Sequence, residues 1–389
     1  MTERSSADGP RVALVHDFLL DMRGAERVFL ALCELFPDAD LFTAIYDEHG
    51  TEGRFAGRTV HTSFLQALRP KARTFRPLLP LYPSAMEALD LRGYDLVISS
   101  SSAWAHGVIP DEGAVHVCYC HNPFRYAWNA RDETLARRDP VSRAVLRMIF
   151  QRWRQWDWIA AQRVDAYIAN SETTRRRIER FFGREATVLH PPVVTDRFAP
   201  GPVGDDYVVL SELMPHKHID VAVRAFNMLG LPLTVVGNGP DERRLRRLAG
   251  PTIRFAGRVT DEQAAAILQS GRALVVTATE EFGIAAVEAQ AAGRPVIALR
   301  EGGVRETLID GITGAFYDEQ DPAVLAAVVR RFDALAADPQ ACVDNARRFD
   351  VAHFRHGVRA IVDAALDERE ARGARTRPSR RARGLAWQS

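Results

Sequence analysis

The sequence predicts an α/β protein of two Rossmann-like units, and three observations carry that expectation. Short Val/Ile/Leu runs, apolar on both faces, alternate with helical stretches along the chain, as buried parallel strands and their crossovers require. The proline-rich stretch His190-Pro191-Pro192 through Pro202 interrupts the series once, and a fresh strand-like run begins at Tyr207. The length of 389 residues suits about two domains of ordinary size.

In the first half the strand-like runs are Arg11–His16, Asp95–Ser99, Val115–Cys120 and Ala166–Ala169. In the second half they are Tyr207–Leu210, Leu233–Val236, Thr252–Phe255, Ala273–Thr277 and Pro295–Leu299. Proline fixes the backbone and removes donors, which suits 190–202 to a linker better than to an element interior. The expected division is a first domain over 1–190, a second over 191–350, and a C-terminal helix over 351–368 packing back toward the first domain. A basic, disordered tail over 369–389 follows, since arginine, glycine, proline and serine replace hydrophobic spacing there.

Hydrophobic content of 47% with 26% charged residues is that of a soluble globular chain. Balanced charge, with 51 basic and 50 acidic residues, argues against a dedicated nucleic-acid binder. The cysteines Cys33, Cys118, Cys120 and Cys342 match neither a disulfide framework nor zinc spacing. A polar start without a signal-peptide core makes the cytoplasm the expected location.

Open parallel sheets bind ligands beyond the carboxyl ends of their strands. In the second half, Glu280 and Glu288 bracket a Phe282-Gly283 turn between a strand and an alanine-rich helix. Free N–H groups at such a helix start attract anions, and carboxylates beside them suit hydroxyls. A ligand with both phosphate and hydroxyl groups, such as a nucleotide sugar, fits. The plainer alternative, acids favouring a helix dipole, has equal standing for this run alone. Lys217 follows the strand at Tyr207–Leu210, where a cation would neutralise a leaving diphosphate. The Val236-Gly237-Asn238-Gly239 and Phe255-Ala256-Gly257-Arg258-Val259 turns end neighbouring strands. In the first half, Gly24 opens a helix after the first strand, and His121 stands at another strand end.

These motifs together resemble the retaining family 4 glycosyltransferases with the GT-B fold, in which two Rossmann-like domains face across a cleft. The resemblance runs to about Leu366. It rests on the Glu-x7-Glu spacing of Glu280 and Glu288, on Pro215, Lys217 and Asp220, on Gly302, Gly303 and Glu306, and on the two glycine turns. The interdomain His-Pro-Pro-Val-Val stretch fits too. Val-His-Asp17, Arg-Gly-Ala-Glu26, Ser-Phe-Leu65 and Cys-Tyr-Cys-His121 resemble the branch near mannosyltransferases of surface-polysaccharide assembly.

The resemblance implies a catalytic set of Glu280, His121 and Lys217. It implies donor contacts from Gly24, Lys217, Gly257, Arg258, Val259, Phe282, Gly283, Ile284 and Glu288. Within that set Glu288 would hold the ribose hydroxyls, Glu280 would face the sugar, and His121 would approach the sugar or its phosphate. Retention without an essential metal or other cofactor is implied, with GDP-mannose the favoured donor and a UDP-hexose the alternative. The acceptor would be a glycan or a polyprenyl-linked glycan, received by the first domain. Many relatives carry an arginine where this chain has Glu212, which leaves more of the diphosphate charge to Lys217 and the helix start. A GT-B sugar epimerase and a non-catalytic nucleotide-sugar-binding subunit are the competing readings.

The segment Phe64–Tyr82 mixes Arg69, Lys71, Arg73 and Arg76 with large apolar residues and no acid, and Arg147–Trp158 adds Trp153 and Trp156. Such a pattern suits contact with an anionic membrane at the inner face of the cell membrane. A packed helical insert with a solvated basic face is the alternative.

Overall fold

The computed structural model describes residues 10–72, 74–136, 138–332 and 337–376. Contacts divide the chain into two units. The first takes residues up to Ala169, Arg175–Thr187 and those from Arg355 onward; the second takes Asn170–Thr174 and Val188–Phe354.

The first sheet comprises β1 (Val12–His16), β2 (Asp40–Thr43), β3 (Val60–Thr62), β4 (Leu96–Ser101), β5 (Val115–Cys120), β6 (Ala166–Ala169) and β7 (Thr187–Val188). The second comprises β8 (Tyr207–Leu210), β9 (Leu233–Val236), β10 (Ile253–Gly257), β11 (Leu274–Val276), β12 (Val296–Leu299) and β13 (Gly314–Tyr317). Their spatial orders are β3-β2-β1-β4-β5-β6-β7 and β10-β9-β8-β11-β12-β13. Neighbours from β3 to β6, and all those of the second sheet, pair in parallel. Each order reverses once, between β1 and β4 and between β8 and β11. At such a switch point, successive crossovers leave on opposite faces and a crevice opens at the carboxyl ends of the strands.

Central β4 and β5 are buried at every position, their serines and His116 included. Edge strand β10 alternates between half-buried and exposed instead. The sequence reading misses β2, β3, β7 and β13, none of which holds two adjacent Val, Ile or Leu residues.

Asp17, directly after β1, ties the first unit together. Its carboxylate accepts backbone N–H bonds from Ser102 (2.5 Å), Ala103 (3.1 Å), Trp104 (2.6 Å) and Ala105 (2.6 Å). Those donors belong to the loop after β4, so one buried acid fixes the backbone on the far side of the switch point. The loop delivers Trp104 into a core with Tyr82, Met86, Phe124 and Trp153.

The proline segment is pinned within the second unit. The Val193 N–H donates to the Phe349 carbonyl (2.9 Å), and the Thr195 hydroxyl to the Asp350 carboxylate (2.7 Å). The final helix, Val351–Thr376, buries Phe354, Val358, Val362 and Ala365, and Arg355 pairs with Glu34 at 2.6 Å. It extends past position 369, where the sequence suggests a structureless tail. Arginine, glutamate and alanine there are good helix formers despite the lost hydrophobic spacing. Residues 377–389 of that expected tail lie outside the described residues.

Phe64–Tyr82 forms two 3-10 stretches, Phe64–Leu68 and Arg76–Leu81, and then enters the helix Tyr82–Glu87. Pro70, Pro77, Pro80 and Pro83 prevent one long helix by removing donors. Leu65 and Tyr82 are buried, whereas Phe64, Leu68 and Leu81 are exposed. Lys71 pairs with Asp47 at 2.8 Å, and Arg73 lies outside the described residues. On the helix Pro140–Ala161, Trp153 belongs to the core and Trp156 donates to Glu87 (2.9 Å), while Val141, Met148, Trp158 and Ile159 are exposed. Among the described residues no helix is long and apolar enough to cross a membrane.

Candidate active site

In the second unit, Lys217 and Glu280 meet at the β8/β11 switch point. Lys217 closes a single 3-10 turn, Pro215–Lys217, after β8, and His218 follows with φ 50° to start the helix Ile219–Leu229. The Thr277 hydroxyl donates to the Lys217 carbonyl (2.8 Å), and Gln320 donates to the Thr277 carbonyl (2.8 Å). The Lys217 loop is thereby fastened to the end of β11. From there the ammonium reaches both oxygens of Glu280, at 2.7 and 2.8 Å.

Glu280 is held by its backbone as well. It bridges to Gly302, and its carbonyl accepts the Gly303 N–H at 2.8 Å. Gly302 has φ 72°, and a Cβ there would run into the Glu280 carbonyl oxygen. Gly237 has φ 129°, and a Cβ there would meet the Ser211 carbonyl oxygen. Both glycines are dictated by loop-on-loop contact at the strand ends, a backbone reason for motifs that read weakly from sequence.

Gly283, with φ 95°, turns the chain into the helix Ile284–Ala291, whose first N–H groups have no partner within the helix. Glu288 sits about one turn into that helix, which begins at Ile284. It is 9% exposed. Gly257, at φ 73°, ends β10, and its carbonyl accepts the Gly237 N–H at 2.8 Å, so the two glycine turns stand side by side with Arg258 and Val259 following.

Three further residues acquire clear roles. Asp220, in the first turn of the helix Ile219–Leu229, pairs with Arg244 (3.3 Å), which also holds Asp241 (2.7 Å) at the start of its own helix, Glu242–Leu248. Glu306 accepts from the Glu172 N–H (2.9 and 3.0 Å) and lies 2.9 Å from His190 Nε2. Its place in the Gly-Gly-x-x-Glu motif is thus architectural. Glu212 is exposed.

In the first unit, His121 follows β5 and Gly24 begins the helix Gly24–Leu35. His121 Nε2 lies 2.9 Å from the Ser100 hydroxyl. Burial, and secondarily the neighbouring His16, lowers its pKa to about 3; burial does the same to His116. Both imidazoles are therefore neutral from pH 5 to 8. Unfolding returns them to about 6.5, so the unfolded chain binds more protons below that pH. Their stabilisation is full above pH 6.5 and lost as pH falls toward 3, by up to about 1.4 kcal/mol per pH unit for each histidine. Urea unfolding at pH 6.5 and pH 5 should show the parent losing more stability than His116→Gln; equal losses would contradict the neutral, buried state.

All four cysteines are free and buried. Among the described residues no group of three or more His, Cys, Asp or Glu side chains is placed to hold a metal ion.

Two family models match in tandem: "Glycosyltransferase Family 4" over residues 22–197 and "Glycosyl transferases group 1" over residues 196–349. The chain belongs to the family 4 glycosyltransferases, and its two parallel-sheet domains are those of the GT-B fold. One similar protein is the GDP-mannose-dependent alpha-(1-6)-phosphatidylinositol monomannoside mannosyltransferase of Mycolicibacterium smegmatis, 32% identical over 52% of this chain and 58% of that one. Another is the D-inositol 3-phosphate glycosyltransferase of Streptomyces avermitilis, 32% identical over 45% of each chain. The match thus spans about half the length of these relatives. Among solved structures, HepE of Anabaena in complex with UDP-glucose shares the fold, with a TM-score of 0.68 at 16% identity over 91% of this chain and 99% of that one.

Proposed function

We propose that this protein is a retaining hexosyltransferase that moves a sugar, mannose in the favoured case, from a nucleotide donor to a glycan or polyprenyl-linked glycan. The observation that carries the reading is the Lys217–Glu280 pair across a switch point, with the helix start at Gly283 and buried Glu288 on the same strand-to-helix unit. Lys217 is a cation for the donor diphosphate. Glu288 supplies two acceptor oxygens to the ribose hydroxyls, the N–H groups at Phe282–Ile284 face sugar and phosphate, and the Gly257–Val259 backbone reads the base.

A diphosphate arriving at Lys217 competes with Glu280 for the ammonium and turns that carboxylate toward sugar hydroxyls. The bond from the anomeric carbon to phosphate oxygen then breaks as the acceptor oxygen bonds on the same face. The departing phosphate takes the acceptor proton. The protein positions both partners and stabilises the leaving charge, and no metal is needed in this step.

The mannosyl choice is supported by the GDP-mannose-dependent relative, and a UDP-hexose by the UDP-glucose bound in the fold relative. A thermal-shift panel of GDP, UDP and ADP separates them. GDP should raise the midpoint most; a UDP preference would move the assignment to a UDP-hexose, and no shift with any nucleotide would contradict donor binding. Transfer to an acceptor, rather than donor epimerisation or binding without turnover, separates this reading from its two competitors.

Contact with an anionic membrane is a second part of the proposal. It is supported by exposed Phe64, Leu68 and Leu81 near Arg69 and Arg76, and by Val141, Met148, Trp158 and Ile159 on an arginine-bearing helix. Flotation with anionic vesicles should carry the protein upward; its absence at low salt would remove this contact.

A further inference from the structure

A buried chain of polar groups in the first unit runs from His121 back to the helix Gly24–Leu35. His121 Nε2 lies 2.9 Å from Ser100 Oγ, and Ser100 Oγ lies 3.1 Å from His16 Nδ1. His16 Nε2 lies 3.6 Å from Glu26 Oε1. The other oxygen of Glu26 accepts the Arg23 N–H at 3.1 Å, within the capping box of that helix. His16, Ser100 and Glu26 are at most 4% exposed, and His16 is paired in register with Ser100 across β1 and β4. His16 also stacks on Phe29, with ring centroids 4.9 Å apart, which fixes its plane.

We propose that Glu26 and His16 are positioning residues that, through Ser100, set the tautomer of His121. The argument is one of donor counting. A carboxylate only accepts, so the single proton of a neutral His16 sits on Nε2, facing Glu26. His16 Nδ1 is then an acceptor, and the one hydroxyl proton of Ser100 goes to it. Ser100 Oγ has only lone pairs left for His121, which must carry its proton on Nε2. His121 therefore offers Nδ1 as an acceptor. An acceptor nitrogen recognises a hydroxyl and disfavours a phosphate oxygen. On the proposed function, on which this consequence rests, His121 reads a hydroxyl of the transferred sugar and not its phosphate.

Glu26→Gln should reverse the chain. The capping box still requires an oxygen toward the Arg23 N–H, so the new NH2 group faces His16 Nε2 and moves the His16 proton to Nδ1. Ser100 then donates to His121 Nε2, and the His121 proton moves to Nδ1. Long-range 1H–15N correlation spectra at pH 8, with the His121 signals assigned through His121→Gln, read both states directly. The expected result is a protonated Nε2 in the parent, a protonated Nδ1 in Glu26→Gln, and a mixture in Ser100→Ala. A parent protonated at Nδ1, or a tautomer unmoved by Glu26→Gln, would overturn the proposal. The spectra need neither donor nor turnover, so this result stands apart from success or failure of the transferase reading.

Discussion

Lys217→Ala should lower kcat/KM for sugar transfer at least about ten-fold, equivalent to about 1.4 kcal/mol of transition-state stabilisation. The lysine is fastened by Thr277, and its ammonium lies at the end of β8, where the leaving diphosphate would develop charge. Stability should change little. The two side chains of the pair are 20% and 24% exposed, and partly solvated ion pairs contribute about 0–1 kcal/mol. Because Lys217 and Glu280 share that contact, Glu280→Gln and Lys217→Ala should combine non-additively, with a coupling above about 0.5 kcal/mol. Unchanged turnover in Lys217→Ala would remove the lysine from the mechanism, and strict additivity would mean that the pair has no bearing on it.

Asp17→Ala should be the most destabilising single change in the first unit, by more than about 4 kcal/mol. It would strand four consecutive backbone donors, each costing about 1–3 kcal/mol when buried and unmet. Asp17→Asn should fare little better, because its amide nitrogen would point at two N–H groups that need an acceptor. The unfolding transition should be followed by a probe in the first unit, since two units need not unfold together. A loss below about 1 kcal/mol would show that the loop after β4 is held by other contacts.

The strands of both sheet centres were legible because burial on both faces leaves long runs of Val, Ile and Leu. Strands β2, β3, β7 and β13 were not: none of them holds two adjacent Val, Ile or Leu residues. Lys217, Glu280 and Glu288 could be placed on strand ends and a helix start from their spacing. Their pairing could not, because it depends on two loops 63 residues apart meeting at a switch point. Asp17 was visible only as part of a motif. The signal that would have marked it is an acid directly after a buried strand, where solvent is absent and only backbone donors are at hand. The proline segment looked like a linker by composition, yet its backbone hydrogen bonds fasten it within one unit.

The most direct test of the donor site is isothermal titration of the nucleotide sugar whose base gives the largest thermal shift, against the parent, Lys217→Ala and Glu288→Ala. The parent should bind it, and each variant should weaken binding at least about ten-fold, or about 1.4 kcal/mol. Parent-like affinity in both variants, with the fold intact, would contradict a donor site built on β8, β11 and the helix start at Gly283.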